Sequence, residues 1–230
     1  MAKFKLGLFE DPFIDLTEVN KNLFTKEHQN TSLEIARKSI VLLQNRKGDL
    51  PIKKSKKTRI LVTGPNANNH SILGDWTKPQ PQENVVTIFE GIKKIGSQKG
   101  FEVDFHDSNS DILNITSTDI SSTVSIAKDY DYVFVVVGDN SLRHLKNKKT
   151  AGENMARANL NLAGNQLNLV KSLDKLSNEL IVIYVNGKPI AEPWIAENIN
   201  SVIEAWEPGS FGGQAVGEII FGDVNPSGKL

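Results

Sequence analysis

The chain has 230 residues, 39% hydrophobic and 23% charged, with 27 basic and 27 acidic side chains and no cysteine. That profile fits one large or two small globular domains and argues against an intrinsically disordered chain. The even charge balance argues against binding nucleic acid or an anionic membrane surface through bulk electrostatics, and the missing cysteines exclude disulfides, thiolate nucleophiles and Cys-ligated zinc.

In chain order, the first thirty residues read as an irregular arm whose Phe4, Phe9, Phe13 and Phe24 need a surface to pack on. Thr31-Ser32-Leu33-Glu34 has the form of a capping box. It predicts a helix to about residue 44, with Leu33, Ala36, Ile40 and Leu43 recurring on one face. A loop follows at 45–51, then the lysine-rich run 53–57, read as a solvated connection. A short buried strand at 60–63 runs into Gly64-Pro65, and Thr87-Ile88-Phe89-Glu90 is a second capping box opening a helix to about residue 96. Strand 101–105 and helix 120–127 come next. The β-branched run 132–137 suits a central parallel strand buried on both faces, and is far too short to cross a bilayer. Helix 164–176, strand 180–185, helix 190–197, strand 201–206 and helix 211–221 complete the alternation. The expected fold is α/β, a mainly parallel sheet with helices on both faces: a three-layer α/β sandwich of flavodoxin-like type.

Ligands of such sheets lie beyond the carboxyl ends of the strands, which directs attention to loops 64–81, 138–161 and 207–211. The first two are long for mere connections. Gly64-Pro65-Asn66-Ala67-Asn68 follows a strand but has neither the GxGxxG nor the GxxxxGK[ST] spacing of a phosphate cradle. His28, His70, His106 and His144 stand apart, without metal-ligand spacing. Trp76 is either a packing plug or a platform for the apolar C–H face of a sugar. Glu153 is the only Glu between Gly138 and Leu162; on this long loop it is either a solvated surface residue or a mobile proton donor.

One segment narrows these choices. Ala205-Trp206-Glu207-Pro208-Gly209-Ser210-Phe211-Gly212-Gly213-Gln214-Ala215-Val216, followed by Ile220-Phe221-Gly222-Asp223-Val224-Asn225-Pro226-Ser227-Gly228-Lys229-Leu230, resembles the end of the second domain of glycoside hydrolase family 3. Further matches keep the same order: the run from Ala36 to Asn45, Val62-Thr63-Gly64-Pro65-Asn66-Ala67, Gly74-Asp75-Trp76-Thr77, and Asn186-Gly187-Lys188-Pro189. Pro208-Gly209 and Gly212-Gly213 are intelligible as architecture, a sharp turn and a close helix approach.

The resemblance implies a two-part β-glucosidase-like enzyme that removes terminal non-reducing β-linked sugars with retention, exported by a bacterium and needing no metal or organic cofactor. An N-terminal TIM-like barrel would supply the aspartate nucleophile, with residues 1–30 as the linker from it and 31–230 as the sandwich domain. The second domain supplies the general acid/base on a loop reaching over that barrel. Gly152-Glu153-Asn154-Met155-Ala156-Arg157 matches the Gly-Glu and the Arg of the family's Gly-Glu-Gly-x-Asp-Arg segment, and departs from it at Asn154 and Ala156. The resemblance therefore marks Glu153 as catalytic, with Trp76 and Arg157 as candidate substrate-binding residues. Gln80 stands where many relatives carry the second Trp of a sugar clamp. Two readings from other classes stay open: a non-catalytic carbohydrate-binding or assembly module, and a flavodoxin-like nucleotide binder using residues 64–69.

Overall fold

The computed structural model describes residues 1–53, 58–176 and 178–230. Most of the lysine-rich run (Lys54, Ser55, Lys56, Lys57) lies outside the described residues. Five strands are parallel: β2 (Arg59–Thr63), β3 (Glu102–Phe105), β4 (Tyr132–Gly138), β5 (Glu179–Val185) and β6 (Ser201–Glu204). A sixth, β1 (Val41–Asn45), joins β6 antiparallel at one edge, giving the order β1-β6-β5-β4-β2-β3. The direction of winding reverses between β2 and β4, so their carboxyl ends open a crevice there.

Alternate side chains of the strands feed two cores, as the two-residue repeat of a strand requires. Ile60, Val62, Phe134, Val136, Ile181, Ile183 and Ile203 pack against α3 (Lys26–Ser39), α4 (Ile88–Gln98) and α8 (Gly212–Ile220). Leu61, Val133, Val135, Val137, Val182 and Val202 pack against α5 (Ser117–Ala127), α6 (Gln166–Leu173) and α7 (Pro193–Asn198). The three-layer expectation therefore holds. Thr87 and Glu90 form the expected reciprocal cap of α4, each side chain bonded to the other's backbone N–H. Helices α4 and α8 touch backbone to backbone: a Cβ on Gly91 would stand 1.8 Å from the Gly213 carbonyl oxygen. The expected close approach at Gly213 is this contact.

Two expectations fail at the start of the chain. The arm is not irregular throughout, since it contains short helices α1 (Ala2–Lys5) and α2 (Leu16–Asn22), although Phe4, Phe9, Phe13 and Phe24 are exposed. The helix predicted from Thr31 starts earlier, where the Thr25 hydroxyl accepts the His28 N–H. Thr31 lies inside α3, where the amides ahead of it already bond within the helix, so there is no free N–H for it to cap. Residue 30, the expected domain boundary, thus falls within α3. The helix also ends before residue 44. Ile40 turns extended, and 41–45 pair with β6, leaving Leu43, predicted on the buried helix face, 39% exposed at a bulge. The Arg37 guanidinium grips Glu218 with two bonds of 2.6 Å and ties α3 to α8. Past α8, the chain returns to this corner, where the Gly228 N–H donates to the Ile40 carbonyl at 3.0 Å.

Candidate active site

The crevice is built by the segments that leave β2, β4, β5 and β6. After β2, Asn66 is fully buried and its amide donates to the carbonyls of Asp139 and Val185, while the backbone N–H groups of Asn66 and Ala67 are used by Val136 and Gly64. These two backbone amides are spent within the fold and are not available to a phosphate, which weakens the case for nucleotide binding at 64–69.

After β4, the stem of loop 138–161 is organised by Asp139. Its side chain is 1% exposed and meets Lys188 at 2.8 Å and Arg157 at 3.1 Å, while the Thr150 hydroxyl donates to it at 2.8 Å. Arg157 also donates to the Asn161 carbonyl. The structure thus places this predicted substrate-binding residue as a clasp across the loop's base, with its guanidinium aimed at Asp139.

After β6, Trp206 takes a left-handed backbone (φ +59°), unusual for a bulky residue, and this turns the chain back over the crevice. Its N–H donates to Glu204 at 2.9 Å. Burial pushes the Glu204 carboxyl up to about 7, against the pull of the Trp206 and Asn186 amides and with the help of Asp139. Beyond the turn, Glu207 accepts the Ser141 hydroxyl. Burial raises its carboxyl too; the Ser141 bond opposes this, and Asp75 and Asp139 add to it.

The tip of the loop carries Glu153. Residues 152–155 form a tight turn closed by the Met155 N–H on the Gly152 carbonyl at 3.1 Å, with Asn154 at φ +63°. That conformation suits Gly or Asn, so Asn154 meets the same backbone demand as the Gly it replaces in the family segment. A Cβ on Gly152 would come within 2.6 Å of an Asp75 carboxylate oxygen. The bare glycine lets Asp75 reach in and accept the Glu153 N–H. Asp75 in turn holds Lys149 at 2.9 Å. Desolvation pulls its carboxyl upward, yet the Lys149 bond, the Glu153 N–H and the Arg143 charge outweigh it and hold the group below its ordinary range. The Glu153 side chain is 46% exposed and paired with Arg143. Trp76 is 75% exposed, and the Arg143 guanidinium carbon lies 3.7 Å above its ring.

Of the three residues singled out from sequence, Glu153 and Trp76 are thus brought together through Arg143, and Arg157 is not. Asp75, Asp139, Arg143, Lys149, Lys188 and Glu207 went unrecognised as site residues; their partners are distant in sequence, on other loops or across the same long loop, and only the strand-end position of several of them hinted at a role. Among the described residues, no group of three His, Asp or Glu could hold a metal ion, and no helix is long and apolar enough to cross a membrane. An apolar cavity of about 330 Å³ beside β1 and α7 is lined by none of these residues.

Residues 40–230 match the glycosyl hydrolase family 3 C-terminal domain. A β-xylosidase from Formosa agariphila is 36% identical across the whole chain, which covers 31% of that protein. A periplasmic β-glucosidase from Salmonella typhimurium is 31% identical, again across the whole chain and over 32% of its own length. Among solved structures, a β-glucosidase from Listeria innocua in complex with isofagomine superposes with a TM-score of 0.83 at 26% identity, over 99% of this chain and 30% of that one. The chain therefore spans about a third of the length of these relatives.

Proposed function

The chain belongs to the glycosyl hydrolase family 3 C-terminal domain family, and on that footing we propose that it is the second domain of a retaining β-glycosidase acting on terminal β-linked glucose or xylose units. Glu153 is its general acid/base. The nucleophile, an aspartate, comes from a TIM-like barrel preceding this domain, with the N-terminal arm as the linker. The periplasmic relative supports an exported parent.

The observation that carries the reading is the placement of Glu153: a half-exposed carboxyl at the apex of a turn, its backbone fixed by Asp75, beside the open ring of Trp76. Retention requires two carboxyl groups about 5–5.5 Å apart across the anomeric carbon. As the barrel aspartate attacks that carbon, the bond to the leaving oxygen breaks and Glu153 gives the oxygen its proton. In the second step the Glu153 carboxylate takes a proton from water, the water oxygen attacks the anomeric carbon, and the aspartate is released. Trp76 offers a face for a sugar ring, while Arg157 serves the loop stem.

The test is Glu153→Ala in the full-length parent. Substrates with alkoxide or sugar leaving groups should lose about 10²–10⁴-fold in kcat/KM, because a positioned acid contributes that much. A dinitrophenyl glycoside, whose leaving group needs no proton, should lose far less in its first step. Its second step should stall, and azide should restore turnover with formation of a β-glycosyl azide. Small, equal losses across all leaving groups, without an azide effect, would remove Glu153 from the role.

A further inference from the structure

Trp76 and Glu153 sit on loops that leave different strands, and one side chain touches both. Arg143 begins the 3-10 stretch Arg143–Lys148 after β4. Its guanidinium lies over the Trp76 ring at 3.7 Å, pairs with Glu153, and brings Nε to 3.4 Å from Asp75, the carboxylate that also holds the Glu153 N–H. That Nε is buried and makes no hydrogen bond among the described residues, so the group is placed by stacking, by charge and by the bond its Nη2 donates to Glu153. Among the described residues, the cation over the Trp76 ring is Arg143, and the ring remains 75% exposed and so has a face open to a sugar.

We infer that Arg143 is a positioning residue that backs the Trp76 platform and aims the Glu153 carboxyl, so that sugar stacking and proton delivery share one strut. This rests on the reading of Glu153 as acid/base. A planar, delocalised cation can lie flat on an aromatic face and pair at its edge at the same time, which a point-charge ammonium does not. The Arg143–Glu153 pair is half-exposed, and such pairs are weak. A leaving-group oxygen can therefore take over the carboxyl without a large penalty.

The experiment uses the full-length parent with a disaccharide and a series of aryl glycosides, comparing Arg143→Ala, Arg143→Lys and Glu153→Ala. In Arg143→Ala, kcat for poor leaving groups should fall by about 10–100-fold through misplacement of the acid. Its KM for the disaccharide should rise by about 3-fold through loss of the ring's backing. Arg143→Lys should recover most of kcat, since a cation still faces Glu153, and leave KM raised. Thermal melting of each variant serves as the fold control. Arg143→Ala constants within twofold of the parent, losses equal across leaving groups, or identical Lys and Ala variants would each overturn the strut. If Glu153→Ala shows the leaving-group signature while Arg143→Ala does not, the inference alone fails; if Glu153→Ala lacks it, both fail.

Discussion

The two ends of loop 138–161 are built on opposite principles. At the stem, Asp139 is buried, ion-paired with Lys188 and Arg157 and bonded by the Thr150 hydroxyl, contacts that close the loop against the segment after β5 and against itself. At the tip, Glu153 is half-exposed, its side chain held by one ion pair and its backbone by the Asp75 carboxylate on its N–H and the Lys149 ammonium on its carbonyl. A buried ionic cluster is costly to assemble and costlier to break, whereas an exposed pair is worth little either way. The stem fixes where the loop goes, and the tip leaves its carboxyl free to exchange partners.

Breaking the stem should give the largest effect. Asp139→Ala strands Lys188 and Arg157 around a buried hole and should cost about 3 kcal/mol in urea unfolding of the 230-residue chain. A loss below about 1 kcal/mol would show that the cluster is not what holds the stem.

The floor beneath the stem should respond to pH. The Glu204 carboxyl titrates at about 7 when folded, against an ordinary value of 4.5. Between those values the folded state binds a proton that the unfolded state has lost. Stability should therefore be highest below pH 4.5, decline as pH rises to 7, and level off above it, as far as this group is concerned. Glu204→Gln removes the ionisation and keeps a carbonyl oxygen to accept the Trp206 N–H. It should match the parent near pH 4 and exceed it by about 3 kcal/mol at pH 8. Parallel stability curves for the two proteins would contradict this.

The tip should give the smallest change. Glu153→Ala should alter unfolding free energy by less than about 0.5 kcal/mol, since it removes one exposed pair. A loss as large as that of Asp139→Ala would erase the distinction between the two ends.

The contrast also explains what could be read from the sequence. Two stretches carried the capping-box pattern, and only Thr87 caps a helix; Thr31 has the same Glu three residues on but sits a turn and a half inside α3. Local spelling states that a cap is allowed, and the preceding residues decide whether a helix is already running. β1 was hidden because Val41-Leu42-Leu43 continues the apolar spacing of α3, and its partner β6 lies far along the chain. The parallel strands were legible because burial on both faces makes them continuous β-branched runs. Its loop alone left Glu153 either a surface residue or a proton donor; it was singled out by the resemblance of Gly152-Glu153 and Arg157 to a family segment. Arg143 was not, because its meaning depends on Trp76 and Asp75, two residues the chain brings near only after the sheet has formed.

The corner where Gly228 meets Ile40 bears on how this unit would behave under load. The strand that leads into the sheet and the tail that leads out of it pass within one hydrogen bond of each other, and a Cβ on Gly228 would press to 2.4 Å from the Ser39 carbonyl oxygen. A polypeptide running through these two points makes the domain a loop drawn shut at its neck. Tension along the flanks is borne at the neck, across the Ile40–Gly228 bond and the Arg37–Glu218 grip behind it. The parallel ladders, and the crevice at their carboxyl ends, lie beyond that neck.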